Sequence, residues 1–431
     1  MNQNTLKLAV KLYDTAWRSI LPALKLNSRL KEGYEGRRLD SALPAADLWI
    51  QAASAGEAYL ARAIVSCLNT DGELRVLVTT NTRQGMDILE KGAPGINSQT
   101  NGITLFPGWF PFDRPAVMEK AVCQVNPKLV VLLETEIWPG LLYALKTRNI
   151  PACIINGRIT GKSLYCYRKG CQLLRLLRPD AVHAVSSADA ARFAEIFGED
   201  IVFEMPNIKF DRLPAAQKPE QETALSRLLP KNSRFLVLGS IRQQEEERII
   251  NLIRNVQAHH PAVITGLFPR HMHRLDYWKS ALSQMGVSWK LRSGLKARAK
   301  PGQIILWDTF GELSGAYASA DAVFVGGSLA PMGGQNFLEP LIYGNQPVIG
   351  PSWENFSWAG ETIFRQGLVL RENNWQAAAE RLAEQLHNPA DREEMRKKAM
   401  DYISARQGGL RKTCRLIENY LNKARPTRKA S

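Results

Sequence analysis

The chain is 431 residues long, too long for one ordinary core, and two domains of roughly 150–200 residues are the natural reading. Hydrophobic content of 45% and charged content of 23% are those of an ordinary soluble globular protein. The formal net charge of +15 is not ordinary; it points to an anionic partner, whether nucleic acid, a phospholipid surface or a phosphorylated substrate.

Residues 5–30 carry Leu6, Val10, Tyr13, Trp17, Ile20 and Leu24 at spacings of three and four, which draw one apolar stripe down a helix. Lys7, Lys11, Arg18 and Lys25 lie among them. No uninterrupted apolar run of about 18 residues licenses a spanning helix, and no continuous apolar core marks a signal peptide. Two readings stay open: a helix lying in a membrane interface with its lysines near lipid phosphates, or a helix packed on the protein body. A basic connector follows over 29–38.

The α/β pattern then begins. Strands are expected at 48–53, 74–79, 128–133, 150–155, 181–185 and 201–205, with helices between them at 60–68 and 84–91. Residues 213–232, with Pro214, Pro219 and Pro230 among polar residues, read as an interdomain linker. Strands resume at 235–238, 262–265, 304–307 and 322–325, and amphipathic helices close the chain at 377–386 and 392–403. Strands alternating with helices mean parallel, doubly wound sheets. The expected architecture is α/β, two Rossmann-like domains facing a cleft, divided as 1–40, 41–212 and 213–431.

The stretch 326–340, GGSLAPMGGQNFLEP, follows an apolar strand and leads into a helix starting near Asn336. Strand, glycine-rich loop and helix N-terminus together can hold a phosphate, because glycines let backbone N–H groups approach the anion. Glu339, in the first helical turn, is placed to accept hydrogen bonds from sugar hydroxyls.

Ligands of open α/β sheets bind beyond the carboxyl ends of the strands. Glu57, Glu134, Glu136, Arg158, Asn207 and Lys209 fall there in the first half, and Ser240, Arg270, Glu312 and Asn336 in the second. A phosphate-binding loop on one wall and carboxylates on the other suit group transfer from a nucleotide-activated donor. Glu57, behind Gly56 at a helix start, is the candidate base for the acceptor hydroxyl. Glu134 is a candidate for binding the acceptor or steadying charge on the sugar; Lys209 and Arg270 are candidates for neutralising the departing phosphate. Six cysteines form no CxxC pair, and His271 and His273 have no further ligands nearby, so neither a zinc site nor a redox motif is supported. No D-x-D occurs, so these cations would replace a metal. A nucleic-acid-binding protein would need a basic stripe with stacking aromatics, whereas Trp49 and Trp138 sit in core-like or motif positions.

SAGE at 54–57, ETEIWP at 134–139, NGRITGKS at 156–163, NIKFD at 207–211, PRH at 269–271, DTFGEL at 308–313 and the glycine stretch come in the order and spacing of one family. Over residues 45–360 the chain resembles the Kdo (3-deoxy-D-manno-octulosonic acid) transferases of lipopolysaccharide synthesis. The resemblance implies the GT-B fold and metal-independent, inverting transfer of Kdo from CMP-Kdo to a phosphorylated lipid A precursor. It implies a chain at the anionic cytoplasmic face of the bacterial inner membrane, held by its N-terminal helix and with no nucleic-acid partner. By motif, Glu57 matches the proton acceptor, and Glu134 and Lys209 match residues stabilising the transition state. Pro269, Arg270, Phe310, Gly311, Glu312, Asn336, Phe337, Leu338 and Glu339 match the CMP contacts. The alternative is another GT-B glycosyltransferase, or a sugar-nucleotide epimerase, using a different nucleotide. Three departures stand out. SIRQQEE at 240–246 replaces STHEGEE, MGGQN at 332–336 replaces RGGHN, and Gln51 replaces the histidine of HSVSVGE.

Overall fold

The computed structural model describes residues 3–27, 31–70, 72–99, 102–213, 225 and 227–423. The chain divides into one unit of Met1–Arg212 with Arg406–Ser431 and a second of Leu213–Ala405.

The first unit is built on seven strands: β1 (Leu48–Gln51), β2 (Leu74–Thr80), β3 (Ile103–Trp109), β4 (Leu129–Leu133), β5 (Ala152–Gly157), β6 (Ala181–Ala184) and β7 (Val202–Glu204). Their order is β3-β2-β1-β4-β5-β6-β7, and every pairing is parallel. The central strands are apolar on both faces, as a sheet covered by helices on both sides requires. Leu48 and Ile50 pair with Leu129 and Val131 and enter one core, while Trp49 and Val130 enter the other. That division is the two-residue period of a strand. β1 continues toward β2 and β4 toward β5, in opposite directions, so the gap between β1 and β4 is the switch point of this sheet. β3 was not legible as a strand because Pro107 and Gly108 interrupt it. It lies at the sheet edge, where a missing backbone donor costs little.

The N-terminal helix, Gln3–Leu24, packs on this unit along one face. The Tyr13 hydroxyl donates to Asp113 at 2.9 Å, Asp14 pairs with Arg114 at 2.9 Å, and the Trp17 ring lies 6.0 Å from that of Phe112. Leu8, Leu12 and Ile20 face outward, exposed. Among the described residues, no helix is long and apolar enough to cross a membrane. Of the connector expected over 29–38, residues 29 and 30 lie outside the described residues; Arg37 is buried with its guanidinium 4.5 Å from the Phe112 ring centroid.

The second unit repeats the plan with β8 (Phe235–Ile241), β9 (Ile264–Pro269), β10 (Trp289–Leu291), β11 (Ile304–Leu306), β12 (Ala322–Val325), β13 (Val348–Ile349) and β14 (Leu370–Arg371). The order is β10-β11-β9-β8-β12-β13-β14, again all parallel. Here the switch point lies between β8 and β12. The helices expected at 377–386 and 392–403 are present as Trp375–His387 and Arg392–Ser404. Most of the linker expected over 213–232 lies outside the described residues, as does the tail beyond Lys423.

One expected boundary is corrected. The second domain does not run from 213 to 431, because the helix Gly409–Lys423 belongs to the first unit. Its stripe of Cys414, Ile417 and Leu421 joins the core that contains Leu48 and Ile50. The Asp211 carboxylate accepts hydrogen bonds from the N–H groups of Gly408 and Leu410 at 2.7 and 3.0 Å, capping the helix from the first unit.

Candidate active site

The turn after β1 places Glu57. Ser54 is the N-cap of the helix Ala55–Cys67, accepting from Glu57 N–H at 3.3 Å. The Glu57 carboxylate reaches back and accepts from Ala53 N–H at 2.6 Å and from the Ser54 hydroxyl at 2.9 Å. This S-x-x-E arrangement is a reciprocal cap, so part of what Glu57 does is structural. Ordinary caps lie in solvent; Glu57 is only 9% exposed.

The turn after β4 brings two more carboxylates. Glu134 sits at φ +56°, a left-handed conformation rare for this residue type. Its Oε1 lies 2.5 Å from Lys209 Nζ, and both side chains are mostly buried. Lys209 arrives from beyond β7 on the short helix Ile208–Asp211, whose N-cap is Asn207. The Asn156 side chain, at the end of β5, accepts from Ile208 N–H at 2.9 Å and ties that helix to the sheet. The sequence-predicted trio Glu57, Glu134 and Lys209 is thus assembled at one switch point from strand ends far apart in the chain.

Glu136 completes the cluster. It accepts from Trp138 Nε1 at 2.6 Å and from Gln51 Nε2 at 3.2 Å. Gln51 Oε1 in turn accepts from the Thr79 hydroxyl at 2.6 Å, and Thr79 Oγ1 accepts from Trp49 Nε1 at 2.8 Å. A buried relay therefore runs from Trp49 through Gln51 to Glu136. Burial, then the charges of Glu136 and Glu134, push the Glu57 carboxyl from the ordinary 4.5 up to about 8. Burial also raises Glu136. A carboxyl held near 8 is a stronger base once ionised than an exposed glutamate.

Behind the cluster, Asp113 accepts from Gly140 N–H at 2.9 Å and Leu141 N–H at 2.8 Å, capping the helix Pro139–Thr147 that follows the Glu134–Glu136 turn. Burial raises its carboxyl to about 7. Sequence reasoning missed both this role and the partnership of Gln51 with Glu136, since neither pair is near in sequence.

In the second unit the expected nucleotide residues gather along the carboxyl edge of the sheet. Arg270 follows β9, its N–H donating to Ile241 O at 2.8 Å. Phe268, just before Pro269, stacks on Trp307 at 4.1 Å between ring centroids. Beyond Trp307, Phe310 projects into solvent and Gly311 turns at φ +84°. The Glu312 carboxylate is occupied: it accepts from Trp307 Nε1 at 2.8 Å, the Thr309 hydroxyl at 3.0 Å and Arg292 Nη2 at 2.9 Å. Glu339 accepts from the Ser314 hydroxyl at 2.5 Å, which joins the segment after β11 to the one after β12. Asn336 Oδ1 accepts from Leu338 N–H at 3.2 Å, opening the short helix Leu338–Ile342, two residues later than expected. Phe337 and Leu338 are buried in the core, so their backbone is what they can offer a ligand.

The glycine-rich loop differs from its expected role as an anion cradle. The buried Glu245 carboxylate already accepts from Gly327, Ser328 and Leu329 N–H, and from Arg242 N–H at 3.0 Å. The loop's amides bind an anion, and that anion is the protein's own. Among the described residues, no group of three His, Cys, Asp or Glu side chains could hold a metal ion.

Comparison with known proteins bears on this geometry. The family model described as 3-deoxy-D-manno-octulosonic-acid transferase (kdotransferase) matches residues 25–212. The chain is 30% identical over 400 residues to the 3-deoxy-D-manno-octulosonic acid transferase of Bordetella pertussis, covering 90% of each protein. It is 28% identical over 404 residues to the enzyme of that name from Haemophilus influenzae, covering 93% of each. The crystal structure of a glycosyltransferase from Rickettsia africae shares the fold at a TM-score of 0.56, with 13% identity over 88% of this chain and 99% of that one.

Proposed function

This chain belongs to the 3-deoxy-D-manno-octulosonic acid (Kdo) transferase family, and from that premise we propose that it moves Kdo from CMP-Kdo to a phosphorylated lipid A precursor in lipopolysaccharide synthesis. The observation that carries the residue assignment is the meeting of Glu57, Glu134 and Lys209 at the switch point between β1 and β4.

In this reading the ionised Glu57 removes the proton from the acceptor hydroxyl. The freed oxygen forms a bond to the anomeric carbon as the bond from that carbon to the phosphate oxygen breaks. CMP departs with the electron pair, and configuration inverts. The hydrogen bonds from Ala53 N–H and the Ser54 hydroxyl fix the direction of the base before substrate arrives. Lys209, held at 2.5 Å by Glu134, offers a fixed cation where negative charge develops, and Glu134 balances positive charge on the sugar. The backbone and side chains along the carboxyl edge of the second sheet, from Arg270 through Glu339, hold the nucleotide.

A lipid acceptor at an anionic membrane surface fits the outward apolar residues of the N-terminal helix. It also fits an apolar groove of about 500 Å³ beside that helix, lined by Val10, Leu12, Ile137, Tyr167, Leu173 and Leu177 among others.

The test is transfer from CMP-Kdo to a tetra-acylated lipid A precursor, followed by mass spectrometry of the product. Glu57→Gln is expected to abolish product while CMP binding is kept, because the nucleotide residues lie in the other unit. Substantial turnover by that variant removes Glu57 as the base, and no transfer by the unmodified protein removes the reading.

A further inference from the structure

Two of the three departures from the family pattern meet in space. Arg242 follows β8, and Gln335 follows the glycine-rich loop after β12; they stand where STHEGEE and RGGHN carry histidines. Both side chains lie against Gly327. A β-carbon built on Gly327 would come 3.3 Å from Arg242 Cδ, 3.1 Å from Gln335 Cγ and 3.2 Å from Gln335 Nε2. This is the switch point of the second sheet, where a ligand of an open α/β fold is received.

The chemistry of the spot is one-sided. Arg242 Nε is buried and has no hydrogen-bond partner. Glu245, the nearby carboxylate, spends its oxygens on backbone N–H groups. Arg270 is adjacent through its N–H bond to Ile241 O. The imidazole of His271 is shifted down by burial and by the charges of Arg242, Arg270 and His273. Neither Arg242 nor Arg270 forms an ion pair among the described residues, and the Glu245 carboxylate is taken up by backbone N–H groups rather than by either guanidinium.

We infer that Arg242, with Gln335 packed beside it over Gly327, forms a phosphate-binding arm of the donor site. The ligand is the phosphate of the cytidine nucleotide, a group that Arg242 would hold through its guanidinium fork. This assignment rests on the donor being CMP-Kdo. Gly327 is required because a side chain there would fill the space both residues share, and its φ of +66° already favours glycine. The histidine-to-arginine exchange also has a functional consequence. An arginine keeps its charge across the range where an imidazole loses it, so the protein's side of this contact no longer weakens near neutrality, and the pH dependence that remains is that of the phosphate itself, whose second pKa is about 6.

Titration calorimetry with CMP and with cytidine tests this on the full chain. Arg242→Ala is expected to weaken CMP by about 10- to 100-fold, the worth of a charge-assisted hydrogen bond, and to leave cytidine unchanged. Arg242→Lys is expected to fall between, since it keeps the charge and loses the fork. The double variant Arg242→His with Gln335→His is expected to lose CMP affinity relative to the unmodified chain progressively from pH 6 to pH 8, a ratio in which the second ionisation of the phosphate, at about pH 6, cancels. Retained cytidine binding shows that a variant is folded. Equal CMP affinity in Arg242→Ala and the unmodified chain overturns the inference and leaves the transferase reading standing. Failure of the unmodified chain to prefer CMP over cytidine overturns both.

Discussion

The Tyr13 hydroxyl, on the N-terminal helix, donates at 2.9 Å to the buried carboxylate of Asp113. The same carboxylate caps the helix that follows Glu134 and Glu136, so one side chain joins the N-terminal helix to the base of the turn that carries those two carboxylates. Tyr13→Phe removes a single hydrogen bond and is expected to cost about 1 kcal/mol, a fall of about 2–4 °C in Tm. Asp113→Ala strands the N–H groups of Gly140 and Leu141 in a dry interior and is expected to cost about 3 kcal/mol. Denaturant titration of both variants checks the ranking; equal costs would mean that the cap contributes nothing.

The Glu57 carboxyl, raised to about 8, fixes two pH profiles. As a base it works only when ionised, so kcat/KM for transfer is expected to rise with pH through about 8 and then level. Glu136→Gln removes one of the charges that raise it, and the inflection is expected to move to lower pH. Stability runs the other way. Between the ordinary 4.5 and about 8 the folded state binds more protons at Glu57 than the unfolded state does, so this group's contribution to stability falls as pH rises across that window. Glu57→Gln is therefore expected to melt above the unmodified chain at pH 8.5, with the gap closing toward pH 5. A gap that stays constant with pH would show that Glu57 does not titrate in this range.

Glu245 lies buried under the glycine-rich loop with four backbone N–H groups on its carboxylate. Glu245→Ala leaves those donors without a partner, and a loss of about 3 kcal/mol or more is expected. Glu245→Gln keeps one acceptor oxygen and should recover part of it. Because the loop carries Gly327 toward Gln335, both variants are expected to weaken CMP binding, measured by calorimetry, in the same order as they lose stability. Full CMP affinity in a destabilised Glu245→Ala would separate the loop from the nucleotide.

What the sequence revealed, and what it hid, follows from how far each contact reaches along the chain. The strands around Leu48, Leu129, Phe235 and Ala322 announce themselves, because burial on both faces demands unbroken apolar runs. The Ser54–Glu57 cap is equally local, and Glu57 could be singled out from four residues. β3 was hidden by Pro107 and Gly108, which an edge strand tolerates and a pattern reader takes for a break. β13 and β14, two residues each, are too short to show a period. The destination of the C-terminal helix was out of reach because its apolar stripe fits either unit, and the choice is made by Asp211, about two hundred residues earlier. The glycine-rich loop was recognisable as an anion binder, but the group that fills it, Glu245, stands about eighty residues earlier in the chain.

The N-terminal helix divides its apolar residues between two tasks. Tyr13 and Trp17 face the first unit, while Leu8 and Leu12 stay 59% and 64% exposed. Two leucines left in water one turn apart are not required by the fold, and Lys7 and Lys11 flank them. Apolar residues entering the acyl boundary with lysines at headgroup level would give both pairs a purpose. Leu8→Glu with Leu12→Glu is expected to leave Tm within about 2 °C, since exposed positions contribute little to stability. The same variant should lose most of its sedimentation with vesicles containing anionic phospholipid. CMP affinity should be unchanged, and the KM for a vesicle-borne acceptor should rise. Higher salt should weaken the unmodified chain's sedimentation in part, because the lysine contribution is screened and the leucine contribution is not. Undiminished sedimentation of the double variant would return this helix to a purely structural part of the first unit.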